Sequence, residues 1–550
     1  MRGYWVTKVF LVGTCREEAE SVIVGTNMRI RVWYLWVAIV GLAAGISPAQ
    51  QPATPYDIEG TVVDLQTGTP LAKAVVTVDD PTPRIVLTDS NGQFKFAAVT
   101  TEPAVIHAGK QGFLGHADGS PSTAMASATV NSKTGLVRIA LNPASGIYGR
   151  VTSDEGNPIE DIPVTLFYRG PYEGEERLVR VAMTNSDEGG GFSFSNLPGG
   201  KYFILAGPKQ GRTLIPVQHS RIPAENFGAL FYPGVPDPHQ AAPIDLRPGQ
   251  DLYIDFSLKR VRLFTVRGQI AGWKQIESGS LQVTSRFGTH SAYDAQFDAA
   301  TGTFRISQVP RGVHTIRVFT PSNLMLPIVQ QELTVGSDIS GLKVSMSGPR
   351  TIPVLLNASD RRAEHGSVSI TLKPEDLWQD PVAGFFRKDS SVEEMVLRAP
   401  DPGRYRLQFR TSPPLHVVEA RCGTADLLRE PLVVSDQNTQ PIELTLSYST
   451  ATLRVEVPSE GRSLPAHILI LPVDPAGAIR VEPTDLNGKS SGLQLPPGTY
   501  NVWAFDHLPL YFREARVLAR YSARAKVVAL APDQKVEVPV AITTPEDSDE

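Results

Sequence analysis

His416-Val417-Val418-Glu419 places a histidine and a carboxylate at the spacing with which two side chains hold one zinc ion, the metal that activates water in many hydrolases. Such a site needs a third protein ligand, and beyond Glu419 only His467 and His507 remain. Both lie in short strand-like stretches, with no accompanying catalytic glutamate and substrate-binding arginine. A histidine at a strand edge therefore accounts for the motif. The chain has no nucleophile elbow, His-Glu-x-x-His helix, phosphate loop or dinucleotide fingerprint. It is read as a non-enzyme with no catalytic residue, no metal ligand and no cofactor. Asp89-Ser90-Asn91-Gly92 and Asp187-Glu188-Gly189-Gly190 offer the oxygen atoms calcium prefers. Asx turns use the same residues, and the carboxylates are fewer than in a dedicated calcium loop. Cys15 and Cys422 are the only cysteines, so no disulfide framework is possible, and Cys422 is expected to be a small buried side chain.

Binding is the chemistry left open. An exposed aromatic ring packs on the C–H face of a sugar while nearby polar groups bond its hydroxyls. Trp273, in Gly272-Trp273-Lys274-Gln275, and Trp378, in Asp376-Leu377-Trp378-Gln379-Asp380, fall in expected loops and are the candidate ligand-binding residues. Trp503 shares a strand face with Phe505 and is expected to be packed. The net charge of −5 comes from interspersed acidic and basic residues, which excludes nucleic acid as the expected partner. A polysaccharide or an envelope protein fits better.

The elements that would carry these loops are short strands. Asp485-Leu486-Asn487-Gly488 followed by Leu495-Pro496-Pro497-Gly498-Thr499-Tyr500 recurs as Asp187 to Phe192 with Leu197 to Tyr202, and as Asp298 to Phe304 with Val309 to His314. A shorter copy is Asp401-Pro402-Gly403-Arg404-Tyr405. Asp and Gly close a turn, an aromatic-rich strand follows, and Pro-Gly reverses the chain into a strand with alternate residues inward. The fold class is all-β, built of tandem Ig-like or transthyretin-like β-sandwich modules. The modules are expected at 56–143, 144–260 with an appended segment, 261–347, 348–447 and 448–542. Alternation puts Val62, Val75 and Phe94 on core faces, and makes Phe192 and Phe304 equivalent core residues. Helical periodicity is confined to a short stretch near Tyr511 to Arg520.

At the N-terminus, Met28-Arg29-Ile30-Arg31, the apolar run Val32 to Ile46 and Ser47-Pro48-Ala49 have the order of an export signal. Residues 28–49 are read as a signal peptide and 1–27 as a mis-assigned upstream segment. The run Val32 to Ile46 is too short for a comfortable membrane span of about 20 residues, and no second apolar run of spanning length exists. Residues 543–550 are expected to form an acidic disordered tail.

The order Gly-x-Val-x-Asp, Thr-Gly-x-Pro-Leu, Ala-x-Val-x-Val, Thr-Asp-x-x-Gly-x-Phe-x-Phe from Gly60 to Phe96 resembles the carboxypeptidase regulatory-like domain family. The resemblance extends over Ile58 to Phe113 and Gly146 to Ala206, less closely over Val266 to Phe319, and weakly beyond. Tandem copies with the insertion Phe231-Tyr232-Pro233-Gly234 are similar to exported proteins abundant in acidobacteria. The resemblance implies a transthyretin-like sandwich grouped with carbohydrate-binding-like folds, and it transfers no catalytic residue. The expectation is an exported, non-enzymatic binding protein, periplasmic, cell-surface or extracellular. N-terminal sequencing of the exported protein should find Gln50 first; an intact segment 1–27 would contradict both the start and the cleavage assigned here.

Overall fold

The computed structural model describes residues 54–545 apart from 116–124, 133, 208–226, 260, 274–279, 286–293, 320–327, 347–350, 359–366, 380, 388–393, 399–401, 436–439, 459–464, 475–478 and 486. The expected upstream segment and signal peptide lie outside the described residues. Among those described, strands dominate and form ten sheets, which pack as five pairs, each pair around its own apolar cluster.

Each of the five sandwiches is built on one pairing rule. Its opening strand, Tyr56–Asp64, Ser145–Ser153, Leu263–Ala271, Thr351–Ala358 or Ala451–Glu456, pairs antiparallel on one side with Gln93–Val99, Gly191–Leu197, Thr303–Pro310, Glu394–Arg398 or Leu493–Leu495. On its other side the same strand pairs parallel with Val137–Pro143, Asp251–Leu258, Ile339–Ser345, Ile442–Ser447 or Lys535–Pro539. The last two sandwiches, whose sequences diverge most, therefore keep the topology of the first three.

The recurring motif has a physical basis at two points. Oδ1 of Asp89 accepts hydrogen bonds from the backbone N–H of Asn91 and Gln93, Oδ1 of Asp187 from Gly189 and Gly191, and Oδ1 of Asp485 from Asn487 and Lys489. Each turn closes through a glycine in the left-handed region, Gly92, Gly190 and Gly488, at φ of 70°, 72° and 76°. The preceding hydroxyl residue, Thr88, Ser186 or Thr484, is buried and accepts a backbone N–H from Ala74, Ile162 or Ala466. It ties the turn to the opposite sheet.

The strand after the turn then delivers a phenylalanine onto a glycine of the opening strand. The pairs are Phe94 on Gly60, Phe192 on Gly149 and Phe304 on Gly268. A Cβ on these glycines would lie 2.5, 2.6 and 2.5 Å from the ring Cζ, so the ring occupies the space that any side chain would need. The three rings are 5%, 6% and 4% exposed.

Two details differ from the sequence reading. Val75 faces solvent and pairs with the exposed Leu87, while Val76 and Val78 enter the core. In Val-Val-Thr-Val either phase of the alternation looks apolar, and the Thr88 tie sets the phase. The expected tail also begins too early. Ile542–Thr543 pairs parallel with Gly498–Phe505, and Thr543 is buried.

Near the expected helical stretch, Ala515–Arg520 is an α-helix whose Val517 and Leu518 pack with Trp503, Phe505 and Tyr521. Trp503 Nε1 donates to the Tyr521 carbonyl at 2.8 Å. Truncating Phe192 or Phe304 to alanine should cost about 3 to 5 kcal/mol in denaturant unfolding, and a cost within experimental error at either would dissolve the equivalence of the repeats.

Candidate functional site

Tyr202-Phe203-Ile204-Leu205-Ala206 is apolar on both faces, which in a sheet requires cover on both sides. Tyr202, Ile204 and Ala206 point into the second sandwich with Val164 and Leu166. Phe203 and Leu205 point outward with Phe167 and Phe231, the last supplied by the Phe231-Tyr232-Pro233-Gly234 insertion. Val235 and Ala241 of the same sandwich cover part of this second face, and the fourth sandwich covers the rest. Trp378 sits edge-on to Phe167, Phe203 and Phe231, with ring centroids at 5.7, 5.3 and 5.1 Å and interplanar angles of 66°, 75° and 72°.

The loop holding Trp378 is built for that placement. Asp376 Oδ1 accepts the Trp378 N–H at 3.0 Å, and the Tyr405 hydroxyl donates to Gln379 Oε1 at 2.8 Å. These bonds fix the chain on both sides of the indole.

Charged side chains rim the aromatic contact. Glu175 of the second sandwich pairs with Lys373 of the fourth, and with Arg177 at 2.7 Å. Burial works to raise the Glu175 pKa, but the hydrogen bonds from Lys373 and Arg177 outweigh it and hold the carboxyl below its ordinary value. His239 stands between Asp237, with Nδ1 at 3.0 Å from Oδ1, and Asp376 of the fourth sandwich, with Nε2 at 3.1 Å from Oδ2. Both ring nitrogens can donate only when the imidazole is a cation. Burial disfavours that charge, yet the two aspartates hold the His239 pKa above its ordinary value.

The fifth sandwich grips the same unit. Strands Pro163–Tyr172 and Glu175–Asn185 form a long hairpin closed by Glu173 and Gly174 at φ of 53° and 84°, the two left-handed residues of a tight hairpin turn. Phe512 packs on Gly174, where a Cβ would come within 2.5 Å of its ring. Arg513 donates its backbone N–H to the Gly174 carbonyl and its Nε to the Glu173 carbonyl, both at 2.8 Å. One hairpin thus receives side chains from two other modules.

The other expected residues are placed as follows. Trp273 lies across its own Asp298–Gly302 turn: Nε1 donates to the Ala299 carbonyl at 2.9 Å, and the ring stands edge-on to Phe297 at 5.0 Å. Trp273 and Trp378 occupy loops of separate sandwiches and pack in separate clusters.

His416 is buried at the start of strand His416–Cys422, and a bulge between Val417 and Glu419 carries Glu419 out to Arg421 and Thr445. His467 pairs within a different sandwich and His507 bonds Asp506. Among the described residues no group of three or more His, Cys, Asp or Glu is placed to hold a metal. Cys422 is half-buried, and burial followed by the charge of Glu443 pushes its thiol pKa up, away from reactivity. Sequence reasoning missed Glu173, Gly174, Glu175, His239 and Lys373 because each is an ordinary surface type. The two-sided apolar run at 202–206 was the available signal.

Residues 57–134 match the carboxypeptidase regulatory-like domain. No curated protein matches the chain. Among solved structures, the TIE protein of Bacillus anthracis is 11% identical at a TM-score of 0.16, covering 54% of this chain and 51% of that one. A streptococcal ancillary pilin is 11% identical at 0.19, covering 52% and 98%. A minor pilin of Streptococcus agalactiae is 8% identical at 0.20, covering 38% and 97%. Likeness at these scores carries no argument about role.

Two outcomes follow from the junction. Trp378→Ala should lower stability by about 2 to 4 kcal/mol, because it uncovers three rings at once; unchanged unfolding would show that the indole covers nothing of consequence. For His239 the folded pKa lies above the unfolded one. Its contribution is therefore complete below the ordinary imidazole value of 6.5 and is lost as pH rises through the raised value. Calorimetry across neutral pH should show a stability loss that His239→Gln abolishes; an identical pH profile in the variant would remove His239 from the junction's energetics.

Proposed function

We propose that the chain is an exported, non-enzymatic binding protein that holds a polysaccharide at or outside the cell envelope, on a frame of β-sandwich modules locked to one another. The observation that carries this reading is the locking of the second, fourth and fifth sandwiches by Trp378, Phe512 and the ionic rim. A frame of this kind keeps separate module faces at fixed distances, which favours a long ligand that touches several of them. The residues whose types suggested chemistry are engaged otherwise: the turn aspartates bond their own backbone, and Glu419 faces Arg421. The order of residues 28–49, basic then apolar then small, is that of an export signal and supports the location.

A structural scaffold that binds another envelope protein uses the same frame, and a divergent zinc peptidase stands well behind both. Affinity electrophoresis of the chain from Gln50 through gels containing soluble polysaccharides should retard it on at least one of them. Unretarded migration in every gel, with specific capture of an envelope protein, would replace the glycan reading with the scaffold one. Chelator-sensitive peptide hydrolysis abolished by His416→Ala would overturn the non-enzymatic assignment.

A further inference from the structure

We propose that the outer face of the second sandwich's three-stranded sheet is the glycan site, with Tyr253 and Tyr148 as the stacking surface and a neutral pyranose polysaccharide as the ligand. This inference rests on the binding reading above and names the surface and ligand class for it.

Strands Gly191–Leu197, Ser145–Ser153 and Asp251–Leu258 lie side by side in that order, so Asp251–Leu258 is the edge strand. Register places Ser193, Tyr148 and Tyr253 in one row across the sheet, and Gly191, Arg150 and Asp255 in the next row on the same face. The two tyrosine rings stack, with centroids 5.5 Å apart and planes 28° from parallel. Tyr148 leans over Gly146, where a Cβ would lie 2.4 Å from its Cε2, so the absence of a side chain at 146 is what admits the ring. Tyr253 is 82% exposed. Among the described residues no strand of this sheet lies beyond it.

A tyrosine held this open contributes little to folding, and stacked on Tyr148 it presents a two-ring aromatic surface to solvent. The face also has the polar groups that a sugar needs. A cleft of about 520 Å³ runs from the ring pair past Arg150, Asp255, Asn185 and Ser193, offering donors and acceptors beside an aromatic surface. Its charges argue for a neutral ligand. Arg150 is opposed by Asp255 and Asp187 in the same cleft, so a uronic acid or sulfated sugar would meet two carboxylates for one guanidinium.

The equivalent positions of the first and third modules lack the pair. The residues preceding Gly60 and its partner Val137 are Glu59 and Leu136, and those preceding Gly268 and its partner Leu342 are Arg267 and Gly341. The repeat thus does not require aromatics there. Sequence reasoning overlooked both tyrosines because each sits inside a strand and the two are far apart along the chain.

The test uses the chain from Gln50 with laminarin, xylan, dextran and mannan as neutral probes and polygalacturonate and alginate as acidic ones, in affinity electrophoresis and calorimetric titration. The intact chain should bind at least one neutral probe. Tyr253→Ala should then weaken that binding about tenfold or more with thermal unfolding unchanged, while Tyr253→Phe, which keeps the ring face, stays near the parent affinity. Binding by the intact chain that Tyr253→Ala leaves untouched would overturn the site and leave the polysaccharide reading standing. Preference for the acidic probes would overturn the ligand class. Binding to none of the six would overturn the polysaccharide reading, and the site with it.

Discussion

A sheet that is apolar on both faces cannot end at solvent, and this constraint organises the centre of the molecule. Phe167, Phe203, Leu205 and Phe231 form a second apolar surface on the outside of a sandwich whose inner face is already filled by Leu166, Tyr202 and Ile204. Leaving four such side chains in water would forfeit most of the free energy gained by burying them, about 1.5 to 3 kcal/mol for each. Trp378 covers the surface from a sandwich that is not next in sequence. The covering contact and the ionic rim then fix how the two modules meet, so packing and interdomain geometry have one cause.

The hairpin Pro163–Asn185 extends the same constraint. Its tip turns through Glu173 and Gly174, and the missing side chain at Gly174 is what allows Phe512 to close on it. Ion pairs at the rim do less for affinity than the rings. Glu175 and Lys373 favour one docking register, because a mismatched docking would leave a half-buried carboxylate with Arg177 as its one remaining cation partner of the two described.

The modules themselves were legible in sequence wherever local chemistry decides the outcome. An aspartate that bonds the backbone N–H groups two and four residues on, a left-handed glycine and a phenylalanine over a glycine all act within one turn and its neighbouring strands. They therefore leave a readable pattern at Asp187 to Phe192. Val75 was misread because alternation fails where both phases are apolar, and a buried hydroxyl at Thr88 sets the register instead. The partner of Trp378 was not legible, since nothing near position 378 points to rings at 167, 203 and 231. Tyr148 and Tyr253 meet only through parallel pairing of the first and last strands of a module, a contact that no local pattern announces.

The central claim is that the second and fourth sandwiches form one fixed body, and a distance measurement tests it most directly. Spin labels at the exposed positions Glu188 and Val433, in the chain from Gln50 on a Cys422→Ser background, report the separation of the two modules in solution. The account predicts a single narrow distance distribution for the otherwise intact chain and a broad one when Trp378 is replaced by alanine. A broad distribution in the intact chain, or an unchanged narrow one without the indole, would contradict it.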